Sequence, residues 1–291
     1  MRKAIVKPVI ILGVGRSGTT LLHRLLAGHP QVSWLGRITD FFPALPRINS
    51  MVMRIIDMPV AGRLIAKKVK PGEAYTFWDY YCKNFSTTKR DLHADDLDRA
   101  TKEKLYSAFS SCTTPARHRL LIKITGWPRL GFMHSLFPDA LFIHMVRDGR
   151  AVANSRIKEK WWTGRQGPEN WIHGTLPAKG MQRWEESGKE PVVLAALEWK
   201  NLVRAFEDSK ERIAAPSLMH LRYEDLCENP GEMLSTILKH CELSEIDSYM
   251  REVSAGKIKN TNYKWQQEQH ADLQEKLNAA IKDELIMYGY S

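Results

Sequence analysis

The sequence predicts an α/β fold in which a mainly parallel β-sheet is covered by helices on both faces. Short apolar runs alternate along the chain with longer segments of helical periodicity, the order expected when helices connect parallel strands. The runs are apolar at nearly every position, as in strands that are buried on both faces. The first run, residues 9–12, leads through Gly13, Gly15 and Gly18 into leucines at helical spacing, which predicts a strand, a tight turn and a helix.

The same patterns place the other elements in order. The helix after the glycine turn is predicted over residues 19–27, because Gly28 and Pro30 follow it and both residue types terminate helices. Four further strands are predicted at residues 32–35, 120–124, 140–146 and 217–222. Residues 36–46 are predicted to be a loop. Further helices are predicted at residues 47–68, 71–81, 92–112, 150–160, 192–210, 231–241 and 273–287.

The length and net charge of the chain limit the domain organisation and the class of partner that can be expected. The chain has 291 residues, of which 43% are hydrophobic, enough to bury a sizeable core. No linker, repeat or low-complexity tract divides it, so one domain over residues 1–291 is predicted. The formal net charge of +10 favours an anionic partner such as a nucleotide, an acidic glycan, nucleic acid or a membrane surface, although a generally basic surface explains it as well.

The cysteines and the apolar runs indicate the cellular compartment that the protein is expected to occupy. Cys82, Cys112, Cys227 and Cys241 form no CxxC pair and have no histidine in metal-site spacing, so we expect buried free thiols and neither a zinc site nor a disulfide framework. The first apolar run is too short for a signal peptide, and no stretch approaches the roughly 18 apolar residues of a spanning helix. We therefore expect a soluble, cytoplasmic protein without a transmembrane segment.

Two aromatic segments predict a helical and loop lid over an acceptor site. Residues 161–190 form a long irregular stretch, and a loop of that length in a compact domain is usually a lid or a binding loop. Its tryptophans, from Trp161 to Trp184, argue against disorder. The aromatic helix at residues 75–81 carries too many rings for one buried stripe, so part of it is expected to line a pocket, whereas most of its rings are expected to pack in the core.

The glycine turn, residues 13–20, has three interpretations that its residues leave open. Its glycines fit the GxGxxG pattern of dinucleotide folds, with Arg37 as a partner for a 2′-phosphate, but no acidic ribose ligand ends the second strand. The turn also resembles the loop of nucleoside triphosphatases, yet Thr19 stands where the phosphate-binding lysine is required. In the third interpretation the turn holds a single 5′-phosphate and Arg16 supplies the missing charge.

The run GRSGTTLL at residues 15–22 resembles the 5′-phosphosulfate loop of sulfotransferases that use 3′-phosphoadenosine 5′-phosphosulfate (PAPS). It has the arginine form that is common in bacterial and Golgi-type members. The resemblance implies a P-loop-like sheet and PAPS as the donor. It also implies that the donor is bound by Gly15, Arg16, Ser17, Gly18, Thr19 and Thr20.

Three later segments extend the resemblance over residues 9–230. Arg147 at a strand end and Ser155 eight residues later resemble the family's 3′-phosphate signature, in which a guanidinium fork and a hydroxyl bind the phosphate. Tyr223 lies in a YEDL…NP segment whose tyrosine is near the adenine in this family. Lys123 stands where Golgi-type members carry a catalytic lysine, although an exposed lysine at a strand end explains it equally well.

The resemblance implies transfer of a sulfuryl group from PAPS to a hydroxyl or an amine, with no metal. Such a transfer needs cations that stabilise charge on the bridging oxygen, and we expect Arg16 and Lys123 in that role. Family members take the acceptor proton with a histidine or with a glutamate after the second strand, where this chain has Arg37. Glu73 and Asp40 are the candidate bases, and Glu73 is preferred; as structural alternatives, Glu73 favours a helix start and Asp40 caps a loop.

The acceptor side is less defined. Tryptophan and tyrosine suit a small-molecule, glycan or lipid-like acceptor, and no nucleic acid is expected. Lys257, Lys259 and Lys264 are expected either to close over the 3′-phosphate or to lie in an exposed loop. Two other functions stay open: an NADP-dependent oxidoreductase, and a non-catalytic module that binds a nucleotide or a polyanion.

Overall fold

The computed structural model describes residues 4–66, 68–256 and 258–290, and within them five strands form one parallel sheet. The strands are β1 (Val9–Gly13), β2 (Val32–Trp34), β3 (Arg119–Thr125), β4 (Leu141–Val146) and β5 (Leu218–Arg222). Their order in the sheet is β2-β3-β1-β4-β5, and every neighbouring pair is parallel. The α/β fold that the sequence predicts is confirmed.

Helices cover both faces of the sheet. In chain order they are α1 (Thr19–Ala27), α2 (Arg37–Phe41), α3 (Arg47–Ile56), α4 (Ala61–Ala66), α5 (Tyr75–Tyr81), α6 (Arg99–Ser111), α7 (Leu130–Leu136), α8 (Gly149–Arg156), α9 (Ala178–Glu186), α10 (Pro191–Lys210), α11 (Tyr223–Glu228), α12 (Pro230–His240), α13 (Asp247–Ala255), α14 (Lys264–Glu268) and α15 (Ala271–Met287). No helix in the described parts of the chain is long and apolar enough to cross a membrane.

Alternate side chains of β1 point to opposite faces of the sheet and join two different core clusters. Ile10 and Leu12 of β1 pack against α5, α6 and α7, whereas Val9 and Ile11 pack against α1, α12 and α13. Because both sets are buried, the strand reads as a continuous apolar run in the sequence. A third cluster joins α8, α10 and α15 beyond the end of β4.

The sheet order creates a crevice above β1 and β4. From β1 the chain crosses over β3 to β2, whereas from β4 it moves the other way to β5. Neighbouring strands whose connections diverge leave a gap at their carboxyl ends, where ligands of open α/β sheets bind. The glycine turn follows β1 and Arg147 follows β4, so both open into this crevice.

Several predicted boundaries were wrong, among them the helix predicted over residues 47–68, which is divided into α3 and α4. Helix α5 begins at Tyr75 and leaves Glu73 outside, because Ala74 has a φ of +55° that interrupts helical geometry. Residues 37–41, predicted to be loop, form α2. The stretch 161–190 is not irregular throughout, since it contains two short 3₁₀ turns and α9, and its Trp162 and Trp171 are buried.

We predict that His23, on the buried face of α1, makes stability depend on pH. Burial, together with Lys123 and Arg24, lowers the pKa of His23 to about 3. An unfolded histidine takes up a proton below about pH 6.5, whereas folded His23 does not. The free energy of unfolding therefore falls as pH drops below 6.5, by up to about 1.4 kcal/mol per pH unit from this group.

Urea unfolding of the wild type and of His23→Gln at pH 7, 6 and 5 measures this contribution. We expect the variant to have a shallower loss of stability on acidification, so that its difference from the wild type narrows toward pH 5. Parallel pH profiles would contradict a neutral, buried His23.

Candidate active site

A cavity of about 830 Å³ lies at the carboxyl ends of β1, β3, β4 and β5. One wall is formed by the glycine turn and the start of α1, and another by Glu73 and Tyr75 before and at the start of α5. Residues that follow β3, β4 and β5 complete it, among them Trp127, Arg147 and Tyr223. The cavity therefore occupies the crevice that the strand order creates.

The glycine turn requires glycine at two positions. A Cβ on Gly13 would lie 2.5 Å from the carbonyl oxygen of Met145, so the turn can pack on β4 only without a side chain there. Gly18 has a φ of +92°, and a Cβ on it would lie 2.4 Å from Cδ2 of Tyr223. The backbone N–H groups at the start of α1 and the hydroxyls of Thr19 and Thr20 border the cavity at this turn, a site suited to an anion.

Arg16 connects the turn to the predicted 3′-phosphate pair. Its Nε donates to the hydroxyl of Ser155 at 3.0 Å, and its guanidinium also pairs with Glu159 at 3.1 Å. Arg147 donates from one terminal nitrogen to the carbonyl oxygen of Arg16 at 3.1 Å. Residues more than a hundred positions apart in the sequence are thus in direct contact.

Arg147 is buried and held from several sides. Its Nε donates to Asn262 at 2.9 Å and a terminal nitrogen donates to Thr261 at 3.2 Å. The guanidinium lies 4.4 Å from the ring centroid of Tyr223, a cation–π contact. Tyr223 in turn donates its hydroxyl to the carbonyl of Lys259, which lines the cavity.

The three predicted basic residues of the 256–265 segment are placed differently. Lys259 borders the cavity. Lys264 starts α14 and is not among the described residues that line the cavity. Lys257 lies outside the described residues.

Buried Lys123 pairs with the partly exposed Glu73 at the cavity. The Lys123 ammonium lies 3.1 Å from Oε1 of Glu73 and donates to the hydroxyl of Thr20 at 3.0 Å. Thr125 donates its hydroxyl to the same Glu73 oxygen at 2.7 Å. The alternative of an exposed strand-end lysine is wrong, because Lys123 is only 7% exposed.

Asp40 and Arg37 are placed away from the cavity wall. Oδ1 of Asp40 accepts the backbone N–H of Thr76 at 3.0 Å and of Phe77 at 3.4 Å, so this carboxylate caps α5. Arg37 is exposed on α2, where it lies over the ring of Phe41. Neither residue is among the described residues that line the cavity, and nothing supports the interpretation of Arg37 as a 2′-phosphate partner.

Similarity to known proteins identifies the family of this chain. A model of the sulfotransferase family matches residues 8–247, which is most of the chain. The chain belongs to the sulfotransferase family. The family that the loop residues predicted is therefore confirmed.

This sulfotransferase has distant relatives with curated names. It is 23% identical to omega-hydroxy-beta-dihydromenaquinone-9 sulfotransferase Stf3 of Mycobacterium bovis, an alignment that covers 88% of this chain and 68% of the relative. It is 30% identical to protein-tyrosine sulfotransferase 1 of Danio rerio over 52% of this chain and 36% of the relative. The alignment with an uncharacterized protein of Aquifex aeolicus, 24% identical over 81% of this chain, covers 26% of that protein.

Solved sulfotransferase structures share the fold. The sulfotransferase STF9 of Mycobacterium avium matches with a TM-score of 0.62 and 16% identity, covering 99% of this chain and 78% of that one. The sulfotransferase domain from the curacin biosynthetic pathway matches with a TM-score of 0.55 and 13% identity, covering 99% of both chains. At these identities the likeness concerns the fold alone.

The sulfotransferase cavity also contains residues that the sequence did not indicate. Arg156 is fully buried beside the loop and pairs with Glu198 at 2.7 Å. Trp162 donates its ring N–H to the other oxygen of Glu198 at 3.0 Å, and Nε2 of His173 lies 3.4 Å from the carboxylate. Burial, with Arg156 and Arg129 nearby, lowers the pKa of His173 to about 3, so this cavity histidine stays neutral.

In the predicted lid, residues 161–190, some aromatic side chains lie in the core and others border the cavity. Trp161 and Ile172 border the cavity and are exposed, whereas Trp162 and Trp171 are buried in the cluster around α10. In the same way, Tyr75 of α5 borders the cavity, Phe77 and Trp78 pack in the core, and Tyr80 is exposed. Buried rings thus anchor both segments, and a few neighbouring residues face the cavity.

We predict that Gly18→Ala destabilises the protein more than Gly188→Ala. Both glycines have φ above +80°, but a Cβ on Gly188 would meet nothing within 4 Å. The backbone cost alone is about 1–2 kcal/mol. At Gly18 the overlap with Tyr223 adds about 1–3 kcal/mol. Chemical unfolding of both variants measures the difference, and equal costs would contradict the close packing of the turn on Tyr223.

Proposed function

We propose that this sulfotransferase transfers a sulfuryl group from PAPS to a hydroxyl, or an amine, of a small-molecule, glycan or lipid-like acceptor. The observation that carries the proposal is the junction of Arg16, Ser155 and Arg147 at the cavity that also contains the Lys123–Glu73 pair. PAPS carries phosphates at two positions. The turn offers one set of cationic and hydroxyl groups, Arg16, Thr19 and Thr20, and the pair of Arg147 and Ser155 offers a second set. A carboxylate beside one of these sets matches a reaction that removes a proton.

The glycine turn would hold the 5′-phosphosulfate. The hydroxyl of Ser17 is buried and has no hydrogen-bond partner among the described residues, although buried polar atoms are normally paired. An anion above the turn would accept hydrogen bonds from the free N–H groups at the α1 start and from Thr19 and Thr20. Ser17 itself is not among the described residues that line the cavity, so the support for an anion at the turn comes from the start of α1 and from Thr19 and Thr20.

Arg147 and Ser155 would bind the 3′-phosphate, and Tyr223 would lie near the adenine. The hydroxyl of Ser155 accepts a hydrogen bond from Arg16, so its own hydrogen is free to donate to a phosphate oxygen. Arg147 is already oriented by Asn262, Thr261 and the Tyr223 ring. Preorientation of the guanidinium reduces the entropy lost on binding.

Glu73 would act as the general base. The acceptor proton moves to the Glu73 carboxylate, the acceptor oxygen bonds to sulfur, and the bond from sulfur to the bridging phosphate oxygen breaks. Adenosine 3′,5′-bisphosphate leaves with that electron pair. Lys123 and Arg16 would stabilise the charge that develops on the bridging oxygen.

Asp40 is the weaker candidate base, because it is not among the described residues that line the cavity and its Oδ1 accepts two backbone N–H groups at the start of α5. The capping role also explains why an acidic residue stands on α2.

The lining of the cavity favours an acceptor with an apolar or aromatic body. Tyr75, Trp127, Trp161 and Ile172 border it on the side of Glu73 and the lid. Two named relatives have acceptors of this kind: the menaquinone derivative of the Mycobacterium enzyme and the tyrosine of the Danio enzyme. Neither identifies the acceptor of this chain.

We predict that Glu73→Gln lowers kcat for sulfuryl transfer from radiolabelled PAPS by about 10²–10⁴-fold, since it removes the base. The affinity for adenosine 3′,5′-bisphosphate should stay within a few-fold of wild type. Asp40→Asn is the matched control: it should retain kcat and keep nearly all of its stability, because the amide oxygen of asparagine can accept the same two N–H groups at the start of α5. A large loss of kcat in Asp40→Asn with an active Glu73→Gln would reverse the assignment.

We predict that adenosine 3′,5′-bisphosphate raises the thermal unfolding temperature, whereas NADPH and ATP–Mg do not. At a hundred times its dissociation constant a ligand adds about 2.7 kcal/mol of stability. Differential scanning fluorimetry with the three nucleotides at equal concentration measures the shifts. A larger shift with NADPH would favour the oxidoreductase instead.

A further inference from the structure

The 37–70 segment, which connects β2 to the cavity-lining Glu73, has an unusual concentration of exposed apolar side chains. Fourteen large apolar side chains are exposed within the described residues, and half of them fall in this segment. They include Phe41, Phe42 and Leu45 around the end of α2. The others are Met51, Met58, Val60 and Leu64 in and around α3 and α4. Single exposed apolar residues are ordinary, but a group of this size marks an interaction surface.

The same segment is strongly basic. It contains seven Lys or Arg and two acidic residues, Asp40 and Asp57. Both carboxylates are engaged, Asp40 by the α5 backbone and Asp57 by Arg117 at 2.7 Å. The five cations whose side chains are described are exposed and have no ion-pair partner among the described residues: Arg37, Arg47, Arg54, Lys68 and Lys70.

Helix α3 presents cations and an apolar side chain on one outward stripe. Arg47, Met51 and Arg54 are exposed and stand at positions i, i+4 and i+7, which share one face of a helix. The opposite face holds Asn49 and Met53, both fully buried. The orientation of the helix is therefore fixed by the core, and the outward stripe is free for a partner.

The segment ends next to Glu73 and Tyr75, which line the cavity. It starts beyond the carboxyl end of β2, at the same edge of the sheet as the cavity. The residues that flank the segment on either side are in contact, because Gly72 donates its N–H to the carbonyl of Leu35 at 2.8 Å.

We propose that the 37–70 segment docks the protein on an anionic lipid bilayer, with its cations at the headgroups and its exposed apolar side chains in the interfacial layer. Helices α3 and α4 have 10 and 6 residues, far fewer than the roughly 20 that cross a bilayer, so they lie in its plane. A two-fold pair of copies would set the unpaired cations of each against those of the other, which disfavours self-association.

Docking on this face would bring the acceptor side of the cavity next to the bilayer, where an apolar acceptor resides. That consequence rests on the proposed function, whereas the docking itself does not.

Co-sedimentation with vesicles tests the docking. We expect the chain to bind vesicles of phosphatidylcholine with one-third phosphatidylglycerol, to be released as ionic strength rises, and to bind little to phosphatidylcholine alone. Arg47→Gln with Arg54→Gln should weaken binding about 25-fold, from roughly fivefold per cation. Phe41→Ser with Phe42→Ser should weaken it by about tenfold or more, since both rings leave the interface.

Two matched controls alter similar residues elsewhere. Ile286→Ser with Met287→Ser removes exposed apolar side chains at the end of α15, and Arg251→Gln with Lys282→Gln removes exposed cations on α13 and α15. Both should bind like wild type, and circular dichroism should show all four double variants folded.

Absence of wild-type binding to the anionic vesicles at low salt would overturn the proposal. Equal losses in the patch and control variants would overturn it too. So would a dimer, seen by sedimentation equilibrium, that the 37–70 substitutions dissociate, because the surface would then bind a second copy. None of these outcomes depends on sulfuryl transfer.

Discussion

The candidate site depends on the contacts that the buried Lys123 ammonium makes with Glu73 and Thr20. A charge removed from water must be paired and hydrogen-bonded, or it destabilises the fold by several kcal/mol. Lys123 meets this requirement through Glu73 and Thr20, which come from two other parts of the chain. The glycine turn, the centre of the sheet and the cavity wall that bears Glu73 are therefore held together by one cation.

The sheet topology makes this meeting possible. β1 lies between β3 and β4, so the residues that follow these three strands open into one crevice. The close packing of Gly13 on β4 and of Gly18 on Tyr223 brings the turn to the same depth as Arg147. Arg16 then contacts both Ser155 and the carboxylate of Glu159. Parallel strand order and two glycine positions thus bring distant sequence segments into contact at one end of the sheet.

Local patterns in the sequence predicted the strands, the glycine turn and the first helix, because glycine spacing and apolar periodicity are properties of neighbouring residues. They did not predict where α5 begins, since that depends on the positive φ of Ala74 and on a cap from Asp40, 36 residues earlier. Nor did they indicate Arg156 or His173, whose places are set by Glu198 on α10. Lys123 was ambiguous in sequence for the same reason: only the fold shows that Glu73 is beside it.

The crevice between β1 and β4 is proposed to recognise a nucleotide by two separate phosphates. Calorimetric titration of the wild type and of Arg147→Ala with adenosine 3′,5′-bisphosphate and with adenosine 5′-phosphate tests it most directly. We expect the 3′-phosphate to strengthen wild-type binding by roughly ten- to a hundredfold, as charge-assisted hydrogen bonds do, and most of this gain to disappear in the variant. A wild type that binds both nucleotides equally, or a variant that keeps the full gain, would contradict the account.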